Sequence, residues 1–395
     1  MDEKKYSTAA ALLAASAASL IAGDAFADAA PEKAFLGARL SQYREDSIDR
    51  SRVLDGAETE RYTIDVQHLN FLTPLAGSFS LSADVIRESM TGASPLGAVK
   101  LAEGDVRVAM SGASISEERQ DVTLGGAWYR DSSVWRLGAG RSTENDYEAD
   151  YLSLGTEYGF AEGNTTLGVS VSMSDDVITP TDAETFGRIA YAEKDSRSVF
   201  AGVTQVVSKN LLVQTGVGIN QMQGYLSDPY KAGSEAAPLD RRPDARTQRT
   251  WTVGARYFLE SIETALKLDY RYFADDWGMD SHTIQYGMGR QFGDRWQLEA
   301  GVRVYMQGEA DFYEPYQVPE VDPQPEHFSM DYRLSPYGAV SVNVNGRWSF
   351  ATDWSFVFVV ERYQSSANYT FADVRLENPG IVDYVRGSIG MEYRF

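Results

Sequence analysis

The sequence predicts an all-β fold: one antiparallel transmembrane β-barrel of sixteen strands, with short periplasmic turns and long extracellular loops. Three observations carry that prediction. Apolar and polar side chains alternate with a period of 2 along most of the chain. The connections between those segments alternate between short and long. The chain ends on such a segment, with an aromatic residue, Phe395, in last place.

The first element is an export signal. Lys4 and Lys5 precede an apolar, Ala-rich run from Ala9 to Ala22, and Ala25-Phe26-Ala27 supplies a small-x-small cleavage site. Residues 1–27 are expected to be removed after Ala27, leaving 28–395 as a single barrel domain in a bacterial outer membrane. No later stretch approaches the roughly 18 apolar residues of a membrane helix, so strands must do the crossing.

Composition agrees. The 23 Tyr, 17 Phe, 7 Trp and 34 Gly against 13 Pro suit many short amphipathic strands. A net charge of −21 argues against a nucleic-acid partner, whose phosphates demand a basic surface. There is no Cys, which excludes thiolate catalysis, Cys-ligated zinc and iron–sulfur clusters. No cofactor is expected.

The strands follow in order. Their predicted spans are 33–44, 60–72, 78–89, 119–131, 133–144, 149–160, 164–174 and 197–208 in the first half. The second half supplies 210–222, 247–259, 262–274, 281–292, 295–307, 330–345, 352–365 and 382–395. In the thirteenth, Trp296, Leu298, Ala300, Val302, Val304 and Met306 alternate with Gln297, Glu299, Gly301, Arg303 and Tyr305. One face suits lipid and the other water. Short turns such as Ala161-Glu162-Gly163-Asn164, Lys209-Asn210 and Gly293-Asp294 alternate with long loops such as 90–118, 223–246 and 308–329. An even strand count with both termini periplasmic produces that parity. Tyr62, Trp128, Trp135, Trp251, Trp296, Trp348 and Trp354 lie near strand ends and match interfacial aromatic girdles.

Several segments resemble the DUF3570 family of outer-membrane proteins. They include Gly92-Ala93-Ser94-Pro95, Ser227-Asp228-Pro229-Tyr230, Arg241-Arg242-Pro243 with Arg246, and Tyr270-Arg271-Tyr272-Phe273 followed by Asp275-Asp276-Trp277-Gly278. Ser281-His282-Thr283, Asp311-Phe312-Tyr313 and Asp331-Tyr332-Arg333-Leu334-Ser335-Pro336 complete the set, in conserved order through most of the mature chain. The resemblance implies an outer-membrane barrel associated with periplasmic redox or flavin-transfer systems, and so a periplasmic protein partner. The terminal Tyr393-Arg394-Phe395 also resembles the signal read by the barrel-assembly machinery.

Candidate functional residues come from the inward face. Apolar residues facing lipid on the strand at 262–274 turn Lys267, Asp269 and Arg271 inward, and the same alternation turns in Arg256, Glu299, Arg303, Arg333, Glu361, Arg386, Glu392 and Arg394. Arg at the bilayer midplane costs ~2–4 kcal/mol, so inward is the comfortable orientation. These residues either pair across strands or set a field that filters solutes by charge. Sixteen strands leave an aqueous channel unless loops plug it.

Other chemistry is thinner. Of His68, His282 and His327, only His282 sits beside a nucleophile, Ser281, and adjacent strand residues point to opposite faces. His282 is therefore expected to hydrogen-bond at the loop rim beside Asp275, Asp276 and Trp277. Acidic clusters such as Asp175-Asp176 and Glu309/Asp311/Glu314 lack calcium-loop spacing and are read as a solvated rim, or as a bridge to lipopolysaccharide through divalent ions. The run Arg241-Arg242-Pro243 with Arg246 is read as a solvated loop, with a lumenal constriction or a phosphate contact as alternatives. The leading expectation is a porin-like channel without bond chemistry. A plugged scaffold and an outer-membrane hydrolase are the rivals.

Overall fold

The structure, a computed structural model, describes residues 30–101, 104–111, 115–231, 240–316 and 325–395. The expected export signal lies outside the described residues. Strands β1 (Phe35–Glu45), β2 (Thr63–Leu75) and β3 (Phe79–Gly92) lead to a small hairpin, β4 (Pro95–Lys100) and β5 (Val106–Met110). Then come β6 (Ile115–Arg130), β7 (Ser133–Thr143), β8 (Tyr147–Phe160), β9 (Thr165–Ile178), β10 (Ala192–Ser208), β11 (Leu211–Gly224) and β12 (Ala245–Leu259). The last six are β13 (Thr264–Asp275), β14 (Asp280–Phe292), β15 (Trp296–Gln307), β16 (Tyr337–Ser349), β17 (Trp354–Ser366) and β18 (Tyr384–Arg394).

All but the β4–β5 hairpin form one closed antiparallel barrel of sixteen strands, each paired with its sequence neighbours. Closure joins β1 to β18 from Phe35↔Arg394 to Glu45↔Tyr384. Beyond that ladder, Ala34 and Phe395 exchange both backbone hydrogen bonds, at 2.8 and 2.9 Å. The sheet therefore has no free edge, the condition a backbone must meet in hydrocarbon. The hairpin is a decoration of the long loop between β3 and β6, where Val108 packs against Ile48 and Val53 of the first long loop.

Alternation decides which residues meet lipid. Leu40, Leu69, Leu124, Val360 and Ile389 are more than half exposed, while Glu361 and Glu392 on the opposite face are buried. At the short-turn rim the outward aromatics stack in pairs. Trp296 lies 5.5 Å from Trp348, Phe79 lies 6.3 Å from Trp128, and Trp354 lies 4.4 Å from Tyr393. These rings form the expected girdle. Tyr62 does not belong to it; it is buried with Ile64 and Met90 on the inside.

The largest departure from an expected span is at β16; β6, β9 and β10 each run about four or five residues further towards the long-loop rim than expected. The prediction of 330–345 joins two structures, a loop segment and β16, which starts only at Tyr337. Asp331 accepts from the backbone N–H of Arg333 and turns Tyr332–Leu334 into a 3-10 helix. Pro336 then offers no N–H to a ladder. Arg333 accordingly belongs to an extracellular loop and not to the barrel wall.

Candidate functional site

The inner face of β12–β18 brings most of the expected charges together as pairs. Arg256 meets Asp269 at 2.8 Å, Lys267 meets Glu299 at 2.6 Å, and Arg386 meets Glu361, its register partner, at 2.8 Å. Lys267 reaches Glu299 across the whole of β14 because Gly287 and Gly289 leave the intervening inward positions without side chains. Glu392 pairs at 2.6 Å with Arg347. The expected strand end at 345 places Arg347 in a turn, whereas β16 runs on to Ser349 and keeps its alternation. Arg271 and Arg303 share this face but have no ion-pair partner among the described residues.

Tyrosines form a second inward set above these charges. Tyr305, Tyr337, Tyr363, Tyr384 and Tyr43 come from β15, β16, β17, β18 and β1, one from each adjacent strand. Tyr363 stacks on Tyr384 at 4.6 Å, Tyr384 lies 4.7 Å from Tyr43, and Tyr305 lies 5.8 Å from Tyr337. Alternation alone could have located this row, since each Tyr occupies a polar-face position.

Long loops roof that half of the barrel. Asp331 has no exposed surface and meets Arg333 at 2.5 Å, Arg242 at 2.8 Å and Lys231 at 3.1 Å. Burial alone would raise its pKa, but those three cations hold the carboxyl well below its usual range. Arg242 and Lys231 come from the loop between β11 and β12, and Asp331 from the loop between β15 and β16, so the cluster ties two loops together. The Tyr230 hydroxyl extends the tie by donating to Asp146 of the β7–β8 turn at 2.5 Å, and burial pushes its pKa up to about 12. On the other side, Arg61 of the first loop lies over the Tyr332 ring at 5.4 Å, and Asn378 of the last loop donates to the Tyr313 hydroxyl at 2.9 Å.

The basic run is thus an internal clasp and not a solvated loop. Arg242 is held between Asp240 and Asp331, and Arg246 sits on Asp275 at 2.5 Å. Buried carboxylates thus engage Arg242 and Arg246 within the fold, a pairing that sequence distance conceals. Part of the acidic rim is also committed. Asp176 pairs with Lys194 at 2.9 Å, and Arg375 bridges Glu309 and Glu314. Glu117, Glu144 and Asp146 bring their carboxylates within 4.8 Å of one another, a metal-like spacing. Arg119 lies among these acids, 3.5 Å from Glu144 and 3.2 Å from Glu88, and supplies a positive charge of its own.

The loop motif divides between two surfaces. Asp275 faces inward and accepts from the backbone N–H groups of Trp277 and Met279, at 3.0 and 2.9 Å. Trp277 is buried against Met279, Ala310, Tyr313 and Leu334, under Arg246 at 4.2 Å. Asp276 accepts from the Thr247 backbone at 2.8 Å. His282, by contrast, is on the outer face, with Nδ1 2.8 Å from the Tyr270 hydroxyl and Phe371 edge-on at 5.1 Å. It does not sit beside Trp277, because one residue of strand separates inside from outside. Ser281 points inward, away from it. His68 faces inward and contacts Asp84 at 3.1 Å.

Comparison with solved structures places the architecture. A bacterial polysaccharide outer membrane secretin superposes with a TM-score of 0.50 at 9% identity, covering 91% of this chain and 98% of that one. The CymD monoaromatic hydrocarbon channel gives 0.43 at 10% identity over 92% and 89%. OccD3 (OpdP) of Pseudomonas aeruginosa gives 0.42 at 10% over 92% and 91%. At such identity the secretin's likeness is one of fold alone: this is an outer-membrane-type barrel. Curated proteins provide no match. The family described as "Protein of unknown function (DUF3570)" matches residues 4–383, nearly the whole chain, and the protein belongs to that family.

Proposed function

We propose that the protein is an outer-membrane channel that passes small solutes along the charged inner wall of β12–β18, with no bond chemistry of its own. The observation that carries this reading is the closed sixteen-strand barrel whose inward carboxylates and cations pair with one another, leaving a polar wall. A barrel of this size is wide enough for an aqueous path. The wall would act on solutes as charged rings do in pores, favouring those whose charge matches the local field. The protein would reach its membrane through cleavage after Ala27, assembly through the strand ending at Phe395, and packing against lipid and lipopolysaccharide.

Planar-bilayer recording of the folded protein tests the reading. Discrete conductance steps with a non-zero reversal potential in a salt gradient are expected. Folded protein without conductance would sink the open-pore reading. A second reading is favoured by the loop clasp around Asp331, which draws loops together over the mouth. On that reading the barrel is a plugged scaffold for a periplasmic partner, and stable co-purification of such a partner without conductance would establish it.

A further inference from the structure

Two arginines depart from the pairing rule of the charged wall. Arg256, Lys267, Arg347 and Arg386 each lie within 2.8 Å of a carboxylate. Among the described residues Arg271 and Arg303 have no such partner, and the nearby acids Asp269, Glu299 and Glu361 are already engaged by other cations. The two sit on β13 and β15, with Thr283 and Gln285 of β14 between them in register. Inward Arg39 and Arg394 also lack a carboxylate among the described residues, but they are exposed, where water solvates them.

A second observation falls at the same place. Arg303 Nε is buried without a hydrogen-bond partner among the described residues. So is the Oγ of Ser341, its register partner on β16, a residue only 2% exposed. Buried donors are normally satisfied, and a charged one left bare is costly. Here neighbouring polar groups, one of them part of an unpaired cation, are left bare side by side. Tyr305 stands beside this group, paired through Thr283 to Arg271, and Tyr363 is the other register partner of Ser341. Overhead, Gln307 donates to the carbonyls of Arg333 and Ser335, at 3.1 and 2.6 Å, fixing the loop that roofs the spot.

We propose that Arg271, Arg303 and Ser341 form an internal binding site for a small anion bearing a carboxylate or phosphate. Guanidinium forks match the geometry of both groups, and the serine hydroxyl adds a third donor. The Tyr305 and Tyr363 rings would flank the rest of an organic anion and give apolar contact. The site deepens the channel reading by naming a solute class, and it rests on that reading only for transport.

Equilibrium binding to the folded full-length protein in detergent tests the site separately from conductance. Isothermal titration with inorganic phosphate and with benzoate, at constant ionic strength, should show saturable binding of at least one; which one binds identifies the head group. Replacing Arg271→Gln and Arg303→Gln together should weaken it about tenfold or more, the loss expected for charge-assisted hydrogen bonds. Ser341→Ala should weaken it a few-fold, and Arg141→Gln, on the outer face, should leave it unchanged. If the double variant fails to fold, Ser341→Ala and the single Arg271→Lys decide, both with weaker binding. No saturable binding of either anion to the wild type, or full affinity in the folded variants, overturns the site whatever the bilayer recordings show.

Discussion

On β12–β18 the inner face carries arginine, lysine and carboxylates at alternate positions, whereas on β9–β11 the corresponding positions hold Ser170, Ser172, Ser198, Gly202, Gly216 and Gly218. Only the outer end of that second wall is charged, at the Asp176–Lys194 pair. Both walls obey the same rule, apolar outward and polar inward, yet they use it differently. The charged wall needs counter-charges within reach, and it obtains them across one or two strands. The neutral wall needs none. Its small residues let Ser172 and Ser198 meet at 2.6 Å and let the Phe200 ring lie over Gly216. The roof follows the same division, because the loop holding Asp331 is rooted in β15 and β16, on the charged side. Inward-facing is therefore a topological property, while charge, bulk and cover are local choices.

The largest expected effect comes from breaking the roof over the charged wall. Asp331→Asn leaves Arg242, Arg333 and Lys231 gathered without a full negative charge, a loss of about 3–5 kcal/mol for a buried cluster. Limited proteolysis should then cut the loop at 325–336 much faster than in the wild type, with the barrel itself still resistant. The same group sets a pH dependence. Its folded pKa is depressed, so the stabilisation is fully present above the unfolded value of about 3.9 and is lost only as pH falls through the lower folded value. The clasp should stay protease-resistant through pH 4; loosening between pH 5 and 7 would contradict the assignment.

A smaller effect should mark the neutral wall. At Gly216 a Cβ would overlap the Phe200 ring, whereas at Gly218 it would rest 3.4 Å from it. Gly216→Ala should cost about 1–3 kcal/mol and lower the temperature at which the barrel unfolds, with Gly218→Ala close to neutral. Equal behaviour of the two would mean that Phe200 does not lie across the wall. The smallest effect belongs to neither wall. His282→Ala removes one outer hydrogen bond to Tyr270, worth about 1 kcal/mol or less. Conductance should be unchanged, and any lipid or peptide hydrolysis by the wild type should persist in the variant; its abolition would restore the hydrolase reading.

Much of this was legible in residue order because a strand reports its own faces. Lys267, Asp269 and Arg271 are inward for the same reason that Leu266 and Leu268 are outward, and no distant contact is needed to know it. Arg333 and Tyr62 were misplaced because they flank strands, where Pro336 and loop packing override the alternation. Arg242 looked solvated because its partner, Asp331, lies far along the chain in another loop.

The sequence by itself determined the barrel, its sixteen strands and the side of the wall that residues within a strand take, since hydrophobic alternation and turn length are local and lipid enforces them. Only the tertiary structure decided which inward charges are paired, that Arg271 and Arg303 find no acid among the described residues of the charged wall, and that the basic loop closes on a buried aspartate. Those outcomes depend on register across strands and on loops meeting over the mouth, and neither is encoded within any one segment.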